Sequence, residues 1–304
     1  MLRRGIAALN ANATASDNQA VIPVVYAQRQ VRSRLGSIFV CGIAGYSLNP
    51  ESRIDRTLAA QGLLAGISER GADAVGYAFR GESGSVEVSK LRGGASALLD
   101  EIAVPADSSQ ALIHVRDYTK GHPDVGANNH PIRHGTVVGV HNGVIENDDE
   151  LFERYGIERF EDDMTVDSEA IFALMEHRAH DPKALSELRG AMAAAWLDER
   201  DLGTLYVARG LHRPLWLGAN RDAVFFASTR RALTIVAAAT RTRLELREAR
   251  EGRLLVLVDG RVSRKRRFRP DRSYRDDGHL PPVRAPYEAV SCLTQFAALA
   301  APAS

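Results

Sequence analysis

Cysteine is scarce: Cys41 and Cys292 are the two in 304 residues. That number excludes a disulfide framework and points to a reducing compartment. An excess of one charge is also missing. The chain carries 39 Lys and Arg against 38 Asp and Glu, a formal net charge of +1. Nothing in the whole-molecule charge therefore argues for nucleic acid or an anionic membrane. No apolar run approaches the roughly 20 residues a membrane helix needs, and a cytoplasmic protein is expected. Internal repeats and glycine-rich phosphate loops are absent. What is present is globular: 45% hydrophobic and 25% charged residues suffice for a substantial core. The length fits one large domain or two ordinary ones.

Residues 1–36 differ from the rest. Arg3, Arg4, Arg29, Arg32 and Arg34 face a single acid, Asp17, and residues 10–20 are small and polar without periodicity. Such an Arg-rich, acid-poor stretch reads as a propeptide, as an organellar targeting segment or as a start site placed too far upstream. A valine codon can serve as a bacterial initiator, and Val40 directly precedes Cys41. Each of the three makes Cys41 the first working residue, while a retained flexible arm would leave it internal. The expected division is a leader over 1–40, a domain over 41–270 and a C-terminal tail over 271–304.

Strands are expected at 39–48, 75–79, 86–91, 111–115 and 136–140, with a loop of about twenty residues between the last two. A loop of that length between core strands is usually functional. Apolar residues Leu58, Leu63, Leu64 and Ile67 predict an amphipathic helix over 55–69. Further helices are expected at 95–102, 148–155, 168–177, 183–193, 230–238 and 288–298. Strands return at 204–208, 215–217, 224–227 and 253–258. Strands, then helices, then strands suggest sheets packed on one another with helices outside, not a parallel βαβ series.

Taken alone, Cys41-Gly42-Ile43-Ala44-Gly45-Tyr46 is a short buried strand whose glycines let another backbone approach. Asn142-Gly143 alone reads as a hairpin turn, Arg116 as a surface cation beside Asp117, and Asp167 as the N-cap of the next helix. Arg264, Lys265, Arg266, Arg267 and Arg269 are able to contact phosphates. With Asp271, Asp276 and Asp277 adjacent, they read better as a solvated edge strand and tail. Cys292 sits in a mildly apolar helix and is expected to be structural.

Together these segments resemble the class II glutamine amidotransferase domain, an N-terminal-nucleophile hydrolase. The resemblance rests on Cys41-Gly42-Ile43-Ala44-Gly45, Arg70-Gly71-Ala72-Asp73 with Gly76, His114-Val115-Arg116 with Thr119 and Gly121, Asn129-His130-Pro131, His141-Asn142-Gly143 and Asp167-Ser168-Glu169. Each is weak alone; their order is specific. It runs from Cys41 to about Phe268, with 222–229 a weaker match. It implies an α+β, four-layer αββα sandwich of two mainly antiparallel sheets. It also implies that Cys41 attacks the amide of L-glutamine, with Asn142 and Gly143 as the oxyanion hole. Arg116 and Thr119 would hold the α-carboxylate and Asp167 the α-ammonium. Arg70 and Asp73 would support the pocket floor. His130 would sit in the substrate loop, orienting rather than acting as a base, and Asn128 is equally a candidate there.

No side-chain base is needed, because a terminal cysteine carries its own. A thiol titrates near ~8.5 and an α-amine near ~7.7–8.0, so proton transfer between them is uphill by about one unit at most. No metal or organic cofactor is required. Two departures from the family pattern fall in the loop that closes over glutamine: Asp117 stands where many members have an aromatic, and Lys120 replaces a frequent histidine. Nothing resembling a sugar isomerase, phosphoribosyltransferase or synthetase domain follows, so a separate synthetase or acceptor partner is expected. The same chemistry would also suit an amidase or γ-glutamyl hydrolase, and a buried, internal Cys41 would suit a regulatory subunit.

Overall fold

The computed structural model describes residues 41–275 and 283–301. The expected leader, Asp276 and Asp277 lie outside the described residues. In chain order the elements are β1 (Gly42–Leu48), α1 (Arg56–Ile67), β2 (Ala74–Arg80), β3 (Val86–Arg92), β4 (Gln110–Arg116), β5 (Ile132–His134), β6 (Val137–Ile145), α2 (Asp148–Tyr155) and α3 (Glu169–His177). They continue with β7 (Gly190–Asp198), β8 (Thr204–Arg209), β9 (Trp216–Ala219), β10 (Ala223–Ala227), α4 (Arg230–Ala239), β11 (Glu245–Glu248), β12 (Arg253–Val258), β13 (Arg261–Arg267) and α5 (Pro286–Leu299).

Two antiparallel sheets result. The first is ordered β11-β9-β10-β1-β4-β2-β3, the second β13-β12-β8-β7-β6-β5. Strand periodicity explains the layering, because successive side chains point to opposite faces. In β1, Ala44, Tyr46 and Leu48 join the cluster beneath α1, α4 and α5. Ile43, next to Ala44 and on the opposite face, joins Leu112, Val140, Ala195, Val207 and Phe226 between the sheets. The outer face of the second sheet packs Ala194 and Trp196 against Ile171 and Phe172 of α3. Helices, sheet, sheet and helices make the four-layer α+β sandwich that the sequence resemblance implies. Gly45 belongs to this packing: a Cβ there would meet the Phe226 ring at 2.5 Å and the Ala111 carbonyl at 2.3 Å.

Several local expectations change. Helix α1 is not amphipathic in place: Ala59, Ala60, Gly62, Ala65 and Gly66 are buried as well as Leu63, Leu64 and Ile67. These small residues let α4 and α5 pack on the side that would otherwise face water. Asp55 caps it by accepting the Leu58 amide at 2.9 Å. The segment 183–193 is a short 3-10 turn over Ala184–Ser186 followed by β7. Its alanines favour helix locally, but the pattern has period two. Met192, Ala194 and Trp196 face the helices, while Ala193, Ala195 and Leu197 face the other sheet. Residues 95–102 form two 3-10 turns rather than a helix. Strands β5 and β11 are short and polar, and carry no apolar run to reveal them.

After β13 the chain contributes α5, which starts at Pro286 and buries Ala289, Cys292 and Phe296. Cys292 is fully buried in the cluster with α1, and burial pushes its thiol up to about 12. Among the described residues no helix is long and apolar enough to cross a membrane.

Candidate active site

Antiparallel pairing of β1 with β4 sets Gly42 opposite Val115. Cys41 therefore sits beside Arg116 and Asp117 at the end of both strands. Its backbone is left-handed, with φ 52°, and its side chain is buried at 7% exposure. The thiol donates to the Asp117 carbonyl at 3.3 Å. Burial pushes the thiol up to about 12, opposed by that hydrogen bond and by the Arg116 charge.

Asp73 and Arg70 buttress this corner. The Asp73 amide donates to the Arg116 carbonyl at 3.0 Å, and its carboxylate accepts the Tyr118 amide at 2.9 Å. Arg70 is buried, with its Cγ 3.0 Å from where a Gly42 Cβ would stand, and donates to the Ser228 carbonyl at 3.3 Å.

Arg116 is a buried guanidinium, not a surface cation. It holds the long loop by donating to Asn129 Oδ1 and to the carbonyls of Lys120, at 2.9 Å, and Gly121. Asn128 Oδ1 accepts the amides of Thr165 at 2.8 Å and Val166 at 3.0 Å, tying the same loop to the segment before α3. Thr119 is exposed on this loop. His130 stacks on His114 with ring centroids 4.1 Å apart. Both of its ring nitrogens are buried without hydrogen bonds. Desolvation and the neighbouring His114 hold His130 well below the usual histidine range, so it is neutral at neutral pH.

Asp167 does not cap α3, whose N-cap position is Ser168. Its carboxylate instead accepts the Ile145 amide on β6 at 2.6 Å. Burial raises its carboxyl to about 6, partly offset by that hydrogen bond. Asn142 and Gly143 do not form a turn either. Both lie inside β6, paired with Ala193 and Met192 of β7. Gly143 has φ 149°, and a Cβ there would lie 1.8 Å from the Ala191 carbonyl oxygen, so only glycine fits. Asn142 Nδ2 donates to Ser228 Oγ at 3.3 Å. That same Oγ accepts the Ile43 amide at 3.0 Å.

Ser228 thus joins the Asn142 strand of one sheet to the Cys41 strand of the other. The sequence places it in the weaker match over 222–229, closing the run Phe225-Phe226-Ala227, but assigns it no role. Arg284 was also missed. Its guanidinium pairs with the Asp117 carboxylate at 2.7 Å and anchors the residue whose carbonyl receives the thiol. Nothing in its Pro-rich surroundings signals that task. Lys120 likewise has partners, Asp148 at 2.6 Å and Asp149 at 3.1 Å. The two departures from the family pattern therefore pin the loop through ion pairs within this chain.

The two-sheet sandwich, with a cysteine at the mouth of a central strand, is the architecture that the sequence resemblance implies. Residues 119–235 match the family model described as a glutamine amidotransferase domain. The chain is 31% identical over 206 residues to the glutamine–fructose-6-phosphate aminotransferase (isomerizing) of Halalkalibacterium halodurans, covering 64% of this chain and 33% of that protein. It is 33% identical over 192 residues to the Geobacillus kaustophilus enzyme of the same name, covering 59% and 30%. Among solved structures it resembles the glutamine phosphoribosylpyrophosphate amidotransferase from B. subtilis, with TM-score 0.59, 20% identity, and coverage of 75% of this chain and 49% of that one. The chain spans about a third of the length of the curated relatives it matches. What the chain shares with these proteins is therefore similarity to a glutamine amidotransferase domain over residues 119–235 and to their fold.

Proposed function

We propose that this domain hydrolyses L-glutamine to glutamate and ammonia, and that the ammonia passes to an acceptor held by a separate partner. The observation that carries the reading is the placement of charge. The buried guanidinium of Arg116 stands across the β1–β4 pairing from Cys41, and the buried carboxylate of Asp167 is held on the Ile145 amide, three residues beyond Asn142 on β6. Opposite charges flanking a nucleophile fit a free α-amino acid, which carries both complements, and fit a peptide poorly. Three hydrogen bonds to the loop engage Nη1 and Nη2 of Arg116, and guanidinium holds its five donors in a fixed fork, so the Arg116 charge and a single N–H are left to meet the α-carboxylate.

The Cys41 α-amine takes the thiol proton, and sulfur attacks the amide carbon of glutamine. The negative charge on the former carbonyl oxygen is met by the Asn142 amide and the Gly143 N–H. Collapse breaks the C–N bond, with the amine's proton going to the leaving nitrogen. A γ-glutamyl thioester remains. Water, deprotonated by the same amine, attacks it, and glutamate leaves as the thiol recovers its proton. Assay of Cys41-terminated protein checks the substrate: glutamate and ammonia are expected in equal amounts from L-glutamine. Preference for bulky γ-amides over glutamine would make the domain an amidase or γ-glutamyl hydrolase instead.

Asp167 gives the reading a pH signature. With its carboxyl raised to about 6, the ammonium partner is lost as pH falls through that value, so KM for glutamine is expected to rise below about pH 6. Stability moves the other way. A carboxyl raised in the folded state from 3.8 binds protons more tightly than in the unfolded chain, so its stabilising effect is lost as pH rises from 3.8 to about 6. Asp167→Asn keeps an acceptor for the Ile145 amide. It is expected to raise the melting temperature at pH 7, raise KM at least about tenfold, the loss of one charge-assisted contact, and flatten the acid limb. A KM profile unchanged by this substitution would remove Asp167 from substrate binding.

A further inference from the structure

The basic run near the end of the domain is not absorbed by glutamine chemistry, and its register gives it a shape. A cleft of about 630 Å³ opens where the chain leaves β11 in one sheet and enters β12 in the other. Leu217, Ala249 and Leu255 form its apolar floor, and Arg253, Lys265 and Arg267 stand along one wall. Pairing sets Arg253 directly opposite Arg267, and Leu255 opposite Lys265. Leu254 and Val256 face the helical layer, whereas Leu255 faces the other sheet, so the alternation directs Arg253, Lys265 and Arg267 to the inter-sheet side. Arg247 and Arg250 complete the rim from the opposite edge. Arg266 takes the other face, where it donates to the His180 carbonyl at 3.3 Å.

Five cations therefore line one concavity, and none of them has a carboxylate partner among the described residues. The lining acid, Glu248, is already paired with Arg209 at 2.8 Å. Like charges directly opposite on paired strands destabilise a sheet, and Arg253 with Arg267 is such a pair. A bound anion would relieve it. Guanidinium groups fork onto phosphoryl oxygens, and cations on three strands suit more than one such group. The volume lies within the ~300–1,000 Å³ of small-molecule sites, and the leucine floor suits an organic body. A concave site on a chain of net charge +1 fits a nucleic-acid backbone less well.

We propose that this cleft binds a small molecule bearing two or more phosphoryl groups. The test is calorimetric titration of the full chain with inorganic pyrophosphate, ATP and orthophosphate, together with thermal melts. Saturable binding is expected for pyrophosphate and ATP, tighter than for orthophosphate, with a rise in melting temperature on binding. The double variant R253Q/R267Q is expected to weaken pyrophosphate at least about tenfold, as for loss of a charge-assisted hydrogen bond, and to melt no lower than the parent without ligand. R261Q/R264Q removes equal charge outside the cleft and is expected to bind as the parent does. Equal loss in both double variants, or no saturable heat at millimolar pyrophosphate, overturns the proposal. So does a duplex oligonucleotide that binds through Arg253 and Arg267 where pyrophosphate does not.

Discussion

Protein that begins at Cys41 is expected to release ammonia from glutamine, and the same protein with its Cys41 nitrogen acetylated is expected to lose that activity by roughly 10⁴-fold or more, the scale of losing a working nucleophile. The magnitude follows from the burial of the sulfur. A thiol pushed up to about 12 is ionised to only about one part in 10⁵ at pH 7, and an amide nitrogen cannot accept its proton. A free amine, with an ordinary value near ~7.7–8.0, stands on the same residue. It replaces the missing ionisation with an internal proton transfer whose product is a thiolate beside an ammonium. The buried corner that disfavours an isolated thiolate then favours the pair. Cys41→Ala should be as inactive as the acetylated form, while Cys41→Ser should retain a trace. Full activity in the acetylated protein, measured by ammonia release after mass confirmation of the block, would end the N-terminal-nucleophile reading. The Cys292 thiol, buried on the inner face of α5, serves as an internal control for thiol reagents.

How much of this was legible beforehand depended on whether a feature is written in contiguous residues. The central strands β4 and β10 follow directly from apolar runs, and α2 and α4 fall where helices are expected at 148–155 and 230–238, because neighbours in sequence decide their periodicity. The helix expected over 183–193 runs into the first residues of β7 because alanine favours helix locally, whereas packing between the other sheet and α3 demands small residues in a strand there. Asn142-Gly143 looked like a turn for a similar reason. The glycine is there to let the Ala191 carbonyl approach and not to reverse the chain. The corner around Cys41 was legible only as an ordered set of motifs. What joins those motifs, Ser228 between the sheets and Arg284 on Asp117, depends on contacts between residues 86 to 185 positions apart or 167 apart, and no local pattern encodes them.

Asn142→Ala is expected to lower kcat for glutamine by about 10²–10³ and to leave KM nearly unchanged, the signature of a donor used on developing charge rather than on bound substrate. The surroundings make this separable from a folding defect. Asn142 Oδ1 is buried without a partner, so truncation removes a polar atom that the fold leaves unsatisfied. The bond given up is a single one, to Ser228 at 3.3 Å, and Ser228 keeps its hold on the Ile43 amide. The melting temperature should therefore stay close to that of the parent while turnover collapses. Ser228→Ala provides the converse. It leaves the Asn142 amide in place but removes the group that orients it, and it strips the Ile43 amide of its acceptor. A smaller loss in kcat together with a lower melting temperature is expected. If instead Asn142→Ala lost stability and turnover in proportion, the residue would be a strut between the sheets, and the oxyanion would have to be met by the Gly143 N–H and some other donor in the same corner.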